Sequence, residues 1–180
     1  EIMKISVLGA GGWGTTLGIL LHYNGHQVTL WEYKKNYVKE LIKKRINSIY
    51  LPGVPIPEEI SITHDLKESV HQKNLIILAV PSQFLRSVIE DVNYSDIKNS
   101  LLVSVAKGIE NKHLMTMSQM LKDVHPHLSD EQIGVLSGPS HAEEVCKRIP
   151  TAVVAASIEH ETSKSIQAAF MNSYFRVYSS

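Results

Sequence analysis

The residues with the most chemistry to offer stand at the ends of short apolar runs. The first group is Gly9-Ala10-Gly11-Gly12-Trp13-Gly14, which fits G-x-G-x-x-G. It follows the β-rich run Lys4 to Leu8 and opens an amphipathic stretch from about Trp13 to Tyr23. In that setting the glycines have separate tasks. Gly9 permits a tight turn, Gly11 removes the side chain that would block a pyrophosphate, and Gly14 lets helix pack closely on strand. Gly18, one turn further, extends the same flattened face. The first N–H groups of such a helix have no intrahelical partner and lie at the positive end of its dipole, so they hold an anion. A phosphate loop of the G-x-x-x-x-G-K type is excluded, because the chain has no Gly-Lys pair. The alternative is a glycine turn without a ligand.

Glu32 closes the next β-rich run, Gln27 to Trp31. A carboxylate there accepts hydrogen bonds from the hydroxyls of an adenosine ribose and repels a 2′-phosphate, which favours NAD over NADP. Lys34 and Lys35 partly offset that repulsion. A solvated surface glutamate is the other reading.

Three further strand ends carry candidates: Pro81-Ser82-Gln83 after Leu75 to Val80, Lys107-Gly108 after Leu101 to Ala106, and Gly138-Pro139-Ser140-His141-Ala142 after Ile133 to Ser137. Lys107 would set a positive charge against a carbonyl or phosphate oxygen, unless it is an ordinary snorkelling surface lysine. Ser140 reads as a helix N-cap, an anion contact, or both. A hydrolase reading of Ser140-His141 fails, because neighbouring side chains rarely pair as nucleophile and base. Ala142 also breaks G-x-S-x-G. The nine histidines show no metal spacing, and the single Cys146 reads as a small apolar residue.

These strand ends need a scaffold that gathers them. Short apolar runs alternate with helix-length amphipathic runs: helices about Lys35–Lys44, Gln83–Val92, Lys112–Val124 and Glu159–Met171, with strands near Ile60–Thr63, Thr151–Ala156 and Tyr174–Ser179. Repeated strand-helix-strand units imply parallel pairing with right-handed crossovers. The fold class is therefore α/β, a doubly wound, mostly parallel sheet of the Rossmann kind, forming one domain over residues 1–180. Tyr50 to Pro57 reads as a proline-punctuated loop. The chain has 43% hydrophobic and 20% charged residues, with 18 basic and 18 acidic side chains. That balance gives no field for nucleic acid or anionic membrane. No apolar run reaches membrane-spanning length, and a reducing cytoplasm is the default location. The stop directly after a strand suggests a cut chain.

Together the pieces resemble the glycerol-3-phosphate dehydrogenase family, its bacterial NAD(P)-dependent branch most closely. Four blocks carry the resemblance in order along nearly the whole chain: Gly9 to Thr15; Ala79-Val80-Pro81-Ser82-Gln83 with Arg86; Ala106-Lys107-Gly108-Ile109-Glu110; and Leu136 to Glu144. Trp31 and Tyr50-Leu51-Pro52 also fit. The resemblance implies hydride transfer between a nicotinamide and C2 of the glycerol phosphate, interconverting glycerol 3-phosphate and dihydroxyacetone phosphate for glycerophospholipid synthesis. It implies cofactor contacts at Gly9, Gly11, Gly12, Trp13, Gly14, Pro81, Lys107 and Ala142, with Glu32 and Tyr50 less closely tied. Substrate contacts fall to Lys107, Gly138 and Ser140. The basic residue that many members carry after the tryptophan region is replaced by Glu32-Tyr33, which speaks for NAD, with NADP as the alternative. The family's second, helical domain, which holds the proton-acceptor lysine, lies outside these 180 residues, so no catalytic residue is assigned here. Homodimerisation of the longer protein stays open. So do two other readings: a related dehydrogenase for a hydroxy acid or sugar nucleotide, and a stand-alone NAD-sensing module.

Overall fold

The computed structural model describes residues 1–180. Its strands are β1 (Lys4–Leu8), β2 (Gln27–Trp31), β3 (Ile46–Asn47), β4 (Leu51–Pro55), β5 (Ser61–Thr63), β6 (Leu75–Leu78), β7 (Leu101–Ser104), β8 (Ile133–Ser137), β9 (Thr151–Ala156) and β10 (Phe175–Ser179). Its helices are α1 (Gly12–Tyr23), α2 (Lys35–Lys44), α3 (Leu66–Val70), α4 (Ser82–Glu90), α5 (Tyr94–Ile97), α6 (Met117–Val124), α7 (Ala142–Cys146) and α8 (His160–Phe170). Eight strands form one sheet in the order β10-β9-β8-β7-β6-β1-β2-β5. The chain starts in the middle at β1, steps out through β2 to β5, then returns to β6 and steps the other way.

Burial explains the uninterrupted apolar run of β6. Leu75 and Ile77 belong to one core of 29 buried residues, whereas Ile76 and Leu78 belong to a second of 16 on the opposite face. A strand covered on both sides has no polar face to show. On the first face β6 shares its core with Leu17, Leu20 and Leu21 of α1 and Ile166 and Phe170 of α8. On the second it shares it with Leu85 and Ile89 of α4 and Met120 and Leu121 of α6.

The pairing is parallel from β5 to β8, in agreement with the alternation of elements, but β9 runs antiparallel to β8. One antiparallel step agrees with the expected mostly parallel sheet, although the strand-helix-strand pattern did not mark where that step falls. A parallel return is usually built on a crossover helix that covers the sheet, and the connection here carries only the five-residue α7. Three expectations are corrected. Leu51–Pro55, within the loop expected from Tyr50 to Pro57, is strand β4, which pairs antiparallel with β3 in a small ribbon. The helix expected from Lys112 begins at Met117, because Thr116 and Gln119 form a reciprocal capping box. Gly18 is not required for flatness, since a Cβ there would make ordinary contacts of 3.6 Å to Val28 and 3.8 Å to Val7. No helix is long and apolar enough to cross a membrane.

Candidate functional site

In an open α/β sheet, ligands collect where the strand order reverses, beyond the carboxyl ends of the strands. Here that point lies between β1 and β6. The two loops leaving these strands touch. Gly9 has φ +112°, and a Cβ on it would stand 2.8 Å from the backbone of Ala79 and Val80. A Cβ on Gly14 would stand 1.9 Å from the Gly9 carbonyl, and one on Gly12 would stand 2.7 Å from the Tyr50 carbonyl. Those three glycines are therefore demanded by the chain's own backbone. Gly11 is different. Its backbone is extended, with φ −73° and ψ −175°, and a Cβ there would meet nothing within 4 Å. The fold gives no reason for a glycine at that position.

Gly11 is also the N-cap of α1 and supplies no side-chain cap. The first bond of the helix runs from Thr15 N to Gly11 O, and no acceptor in the chain receives the N–H groups of Gly12, Trp13 or Gly14. The first turn of α1 holds no acidic residue. The result is an open turn with free donors, a helix dipole and no competing carboxylate. These residues fit a dinucleotide pyrophosphate: the cradle that a Cβ on Gly11 would fill is left clear, and the donors are unspent.

The other expected residues sit around this turn. Ala142 opens α7, and its Cβ lies 3.8 Å from where a Cβ on Gly12 would be. Glu32 is half-buried after β2, and one carboxylate oxygen accepts the Lys34 N–H at 3.1 Å, which leaves the other oxygen free. The Tyr50 ring is exposed, edge-on to Tyr37 with centroids 6.3 Å apart. Pro81 caps α4 at the other lip of the crevice. Two exposed aromatics stand on the same segments as Glu32 and Pro81: Tyr33 after β2 and Phe84 in the first turn of α4.

Trp13, Lys107 and Gly138 line one cleft of about 420 Å³ at the ends of β7 and β8. Lys107 is exposed, and its ammonium has neither a hydrogen bond nor an ion pair. Gly138 has φ +150°, and a Cβ would press to 2.9 Å on Val153, so its glycine is a backbone requirement. Ser140 lies outside the lining of the cleft, and its hydroxyl donates to the Gly138 carbonyl at 3.3 Å. The expectation that it caps a helix is corrected: α7 has His141 at its N-cap, without a side-chain bond. Cys146 is half-buried beside Thr16, and burial pushes its thiol pKa up, away from the thiolate form. A larger polar cleft of about 530 Å³ around Lys4, Gln27 and Lys73 faces the amino ends of β1, β2 and β6, the edge that ligands avoid in this architecture.

The loop that carries Lys107 is held by α4, a feature that the spacing alone did not reveal. The Gln83 amide donates to Ile109 O at 2.8 Å and accepts from Asn111 N at 2.9 Å. Arg86 forms a two-pronged pair with the buried Glu110 and bonds Asp123 of α6 at 2.6 Å. His113 Nδ1 lies 2.9 Å from Glu110.

The family model for the NAD-dependent glycerol-3-phosphate dehydrogenase N-terminus matches residues 4–163. The chain belongs to this family. It is 45% identical over 179 residues to the glycerol-3-phosphate dehydrogenase [NAD(P)+] of Fusobacterium nucleatum, covering 99% of this chain and 53% of that protein. It is 48% identical over 176 residues to the enzyme of the same name from Thermoanaerobacter sp. (strain X514), covering 98% and 52%. Among solved structures, glycerol-3-phosphate dehydrogenase from Coxiella burnetii superposes with a TM-score of 0.92 at 32% identity, over 99% of this chain and 54% of that one. The chain thus spans about half the length of the curated relatives it matches.

Proposed function

We propose that residues 1–180 are the dinucleotide-binding half of an enzyme that interconverts glycerol 3-phosphate and dihydroxyacetone phosphate. The observation that carries this reading is Gly11, a glycine that the fold does not need, set among free N–H groups at the switch point of a sheet whose family is shown. When bound, the nicotinamide supplies or accepts the hydride. Gly9, Gly11, Gly12, Trp13 and Gly14 hold the pyrophosphate side, with Ala142 and Pro81 at the lips. Glu32 and Tyr50 stand beyond them on the β2 side. Lys107 supplies positive charge in the cleft that it shares with Trp13 and Gly138, and substrate oxygens are its partners. Ser140 serves the substrate from the rim of that cleft. Proton transfer belongs to a lysine in the half of the family that lies beyond these residues.

The test is oxidation of NADH by the full-length protein with dihydroxyacetone phosphate as the only acceptor. Turnover with a 2-keto acid, or reduction of NAD by a sugar nucleotide, in place of this reaction would overturn the substrate assignment. Tight NADH binding with no turnover on any of these would favour a sensing module.

A further inference from the structure

Asn47 is a polar side chain with no exposure at all. It stands in β3, just after Arg45, whose φ of +50° ends α2 and turns the chain back. Its Nδ2 donates to Ala10 O at 2.8 Å and to Thr15 Oγ1 at 2.8 Å. Its Oδ1 accepts from the Tyr37 hydroxyl and from Tyr50 N at 3.3 Å. Both amide hydrogens and both lone pairs are engaged, the full capacity of the group.

One of these partners, Ala10, lies in the glycine turn, and a second, Thr15, follows it directly in the first turn of α1. The Ala10 carbonyl is the acceptor that the Gly14 N–H would take if α1 began one residue earlier. Asn47 takes that carbonyl, and the helix starts at Gly12 with its first donors unspent. A third partner, Tyr50, carries the carbonyl that lies over Gly12. One amide therefore fixes the turn from below, through Ala10 and Thr15, and from the side, through Tyr50.

We infer that Asn47 is a positioning residue for the dinucleotide: it holds the glycine turn in the shape that presents free N–H groups to the pyrophosphate. The inference rests on the reading of that turn as the cofactor site. Preorganised donors lose effect steeply when displaced, and an error of about 1 Å costs on the order of 10²-fold. A purely structural asparagine would cost stability alone.

The test uses the full-length protein, with NADH affinity measured by fluorescence titration well below each variant's melting temperature. Asn47→Ala should raise the NADH Kd by about 10- to 100-fold. Thr15→Val keeps Asn47 and the packing volume but removes one anchor, and should raise it about tenfold. Tyr37→Phe removes a bond from the far side of the same amide and should change it less than about twofold, whatever it does to the melting temperature. The inference is overturned if Thr15→Val binds NADH as wild type does, or if Tyr37→Phe weakens binding as much as the other two. Wild-type protein that fails to bind NADH overturns the cofactor reading instead, so the two failures are told apart.

Discussion

The Glu110 carboxylate takes two bonds from one edge of the Arg86 guanidinium, Nε to Oε1 at 2.8 Å and Nη2 to Oε2 at 2.7 Å. This fork joins the loop after β7 to α4, and the third arm of Arg86 reaches Asp123 on α6. Lys107 stands three residues before Glu110, so the pair anchors the segment that presents the free ammonium.

The pairing has a pH signature. Hydrogen bonds from Arg86, and then from His113, hold the Glu110 carboxyl at about 2, below its ordinary 4.5. A depressed carboxylate stabilises the folded chain fully above its unfolded value and loses that contribution as the pH falls through its folded value. The melting temperature of wild type should therefore fall between about pH 4.5 and 2, and Glu110→Gln should flatten that part of the profile. In the same variant, amide exchange of residues 108–115 should quicken by about tenfold at neutral pH. An unchanged acid profile with unchanged exchange would mean that the fork does not anchor the loop.

The glycine turn allows two substitutions with opposite outcomes. Gly11→Val meets open space and should leave the melting temperature near wild type, while NADH affinity falls by at least about 100-fold. Gly14→Ala drives a Cβ to 1.9 Å from Gly9 O and should destabilise the fold by roughly 1–3 kcal/mol. Thermal unfolding and NADH titration on both proteins separate the two effects. Equal loss of stability in both variants would remove the distinction between a ligand-facing and a backbone-facing glycine.

Cofactor choice should follow Glu32. One of its carboxylate oxygens is taken by the Lys34 N–H; on the proposed reading the other would accept from a ribose hydroxyl and oppose a 2′-phosphate. NADH should bind more tightly than NADPH, and Glu32→Ala should narrow the gap by roughly 1–3 kcal/mol. Paired titrations at one ionic strength check this, and tighter NADPH binding by wild type would count against Glu32 as the selector.

Lys107 is exposed and unpaired, so Lys107→Ala should leave the melting curve unchanged. In the full-length enzyme it should lower kcat/KM by roughly 10²–10³-fold, through loss of a positioned charge. Lys107→Arg should restore only part of this, because a planar fork replaces a point charge poorly. A loss below about twofold would move the substrate contact elsewhere in the cleft.

Much of this arrangement was legible in the residues. The G-x-G-x-x-G turn stood between a strand and a helix, and the apolar run at Leu75 announced a strand covered on both faces. What escaped was long-range or directional. The alternation of buried and exposed residues in β9 is the same for either strand direction, so only the shortness of α7 signals the reversal. Pro52 and Pro55 read as breakers, yet β4 pairs only with β3 in an edge ribbon, where proline is tolerated. Nothing local marks Asn47, because its partners lie as far away as Ala10. Thr116 and Gln119 did carry a readable signal, the capping-box spacing that sets the true start of α6.

The contact of Gly9 with Ala79 and Val80 bears on the order in which the molecule can be made. Its two loops belong to adjacent strands, but the pairing of β1 with β6 joins segments as distant as Lys4 and Asn74, 70 residues apart. A chain emerging from the ribosome can wind β1, α1 and β2 into a local unit early, because those contacts close short loops. The far wall of the crevice arrives only with β6. Until then the glycine turn lacks the backbone it packs against, and the nascent protein carries one wall of the cleft, with Lys107, Gly138 and Ala142 added only as still later segments emerge.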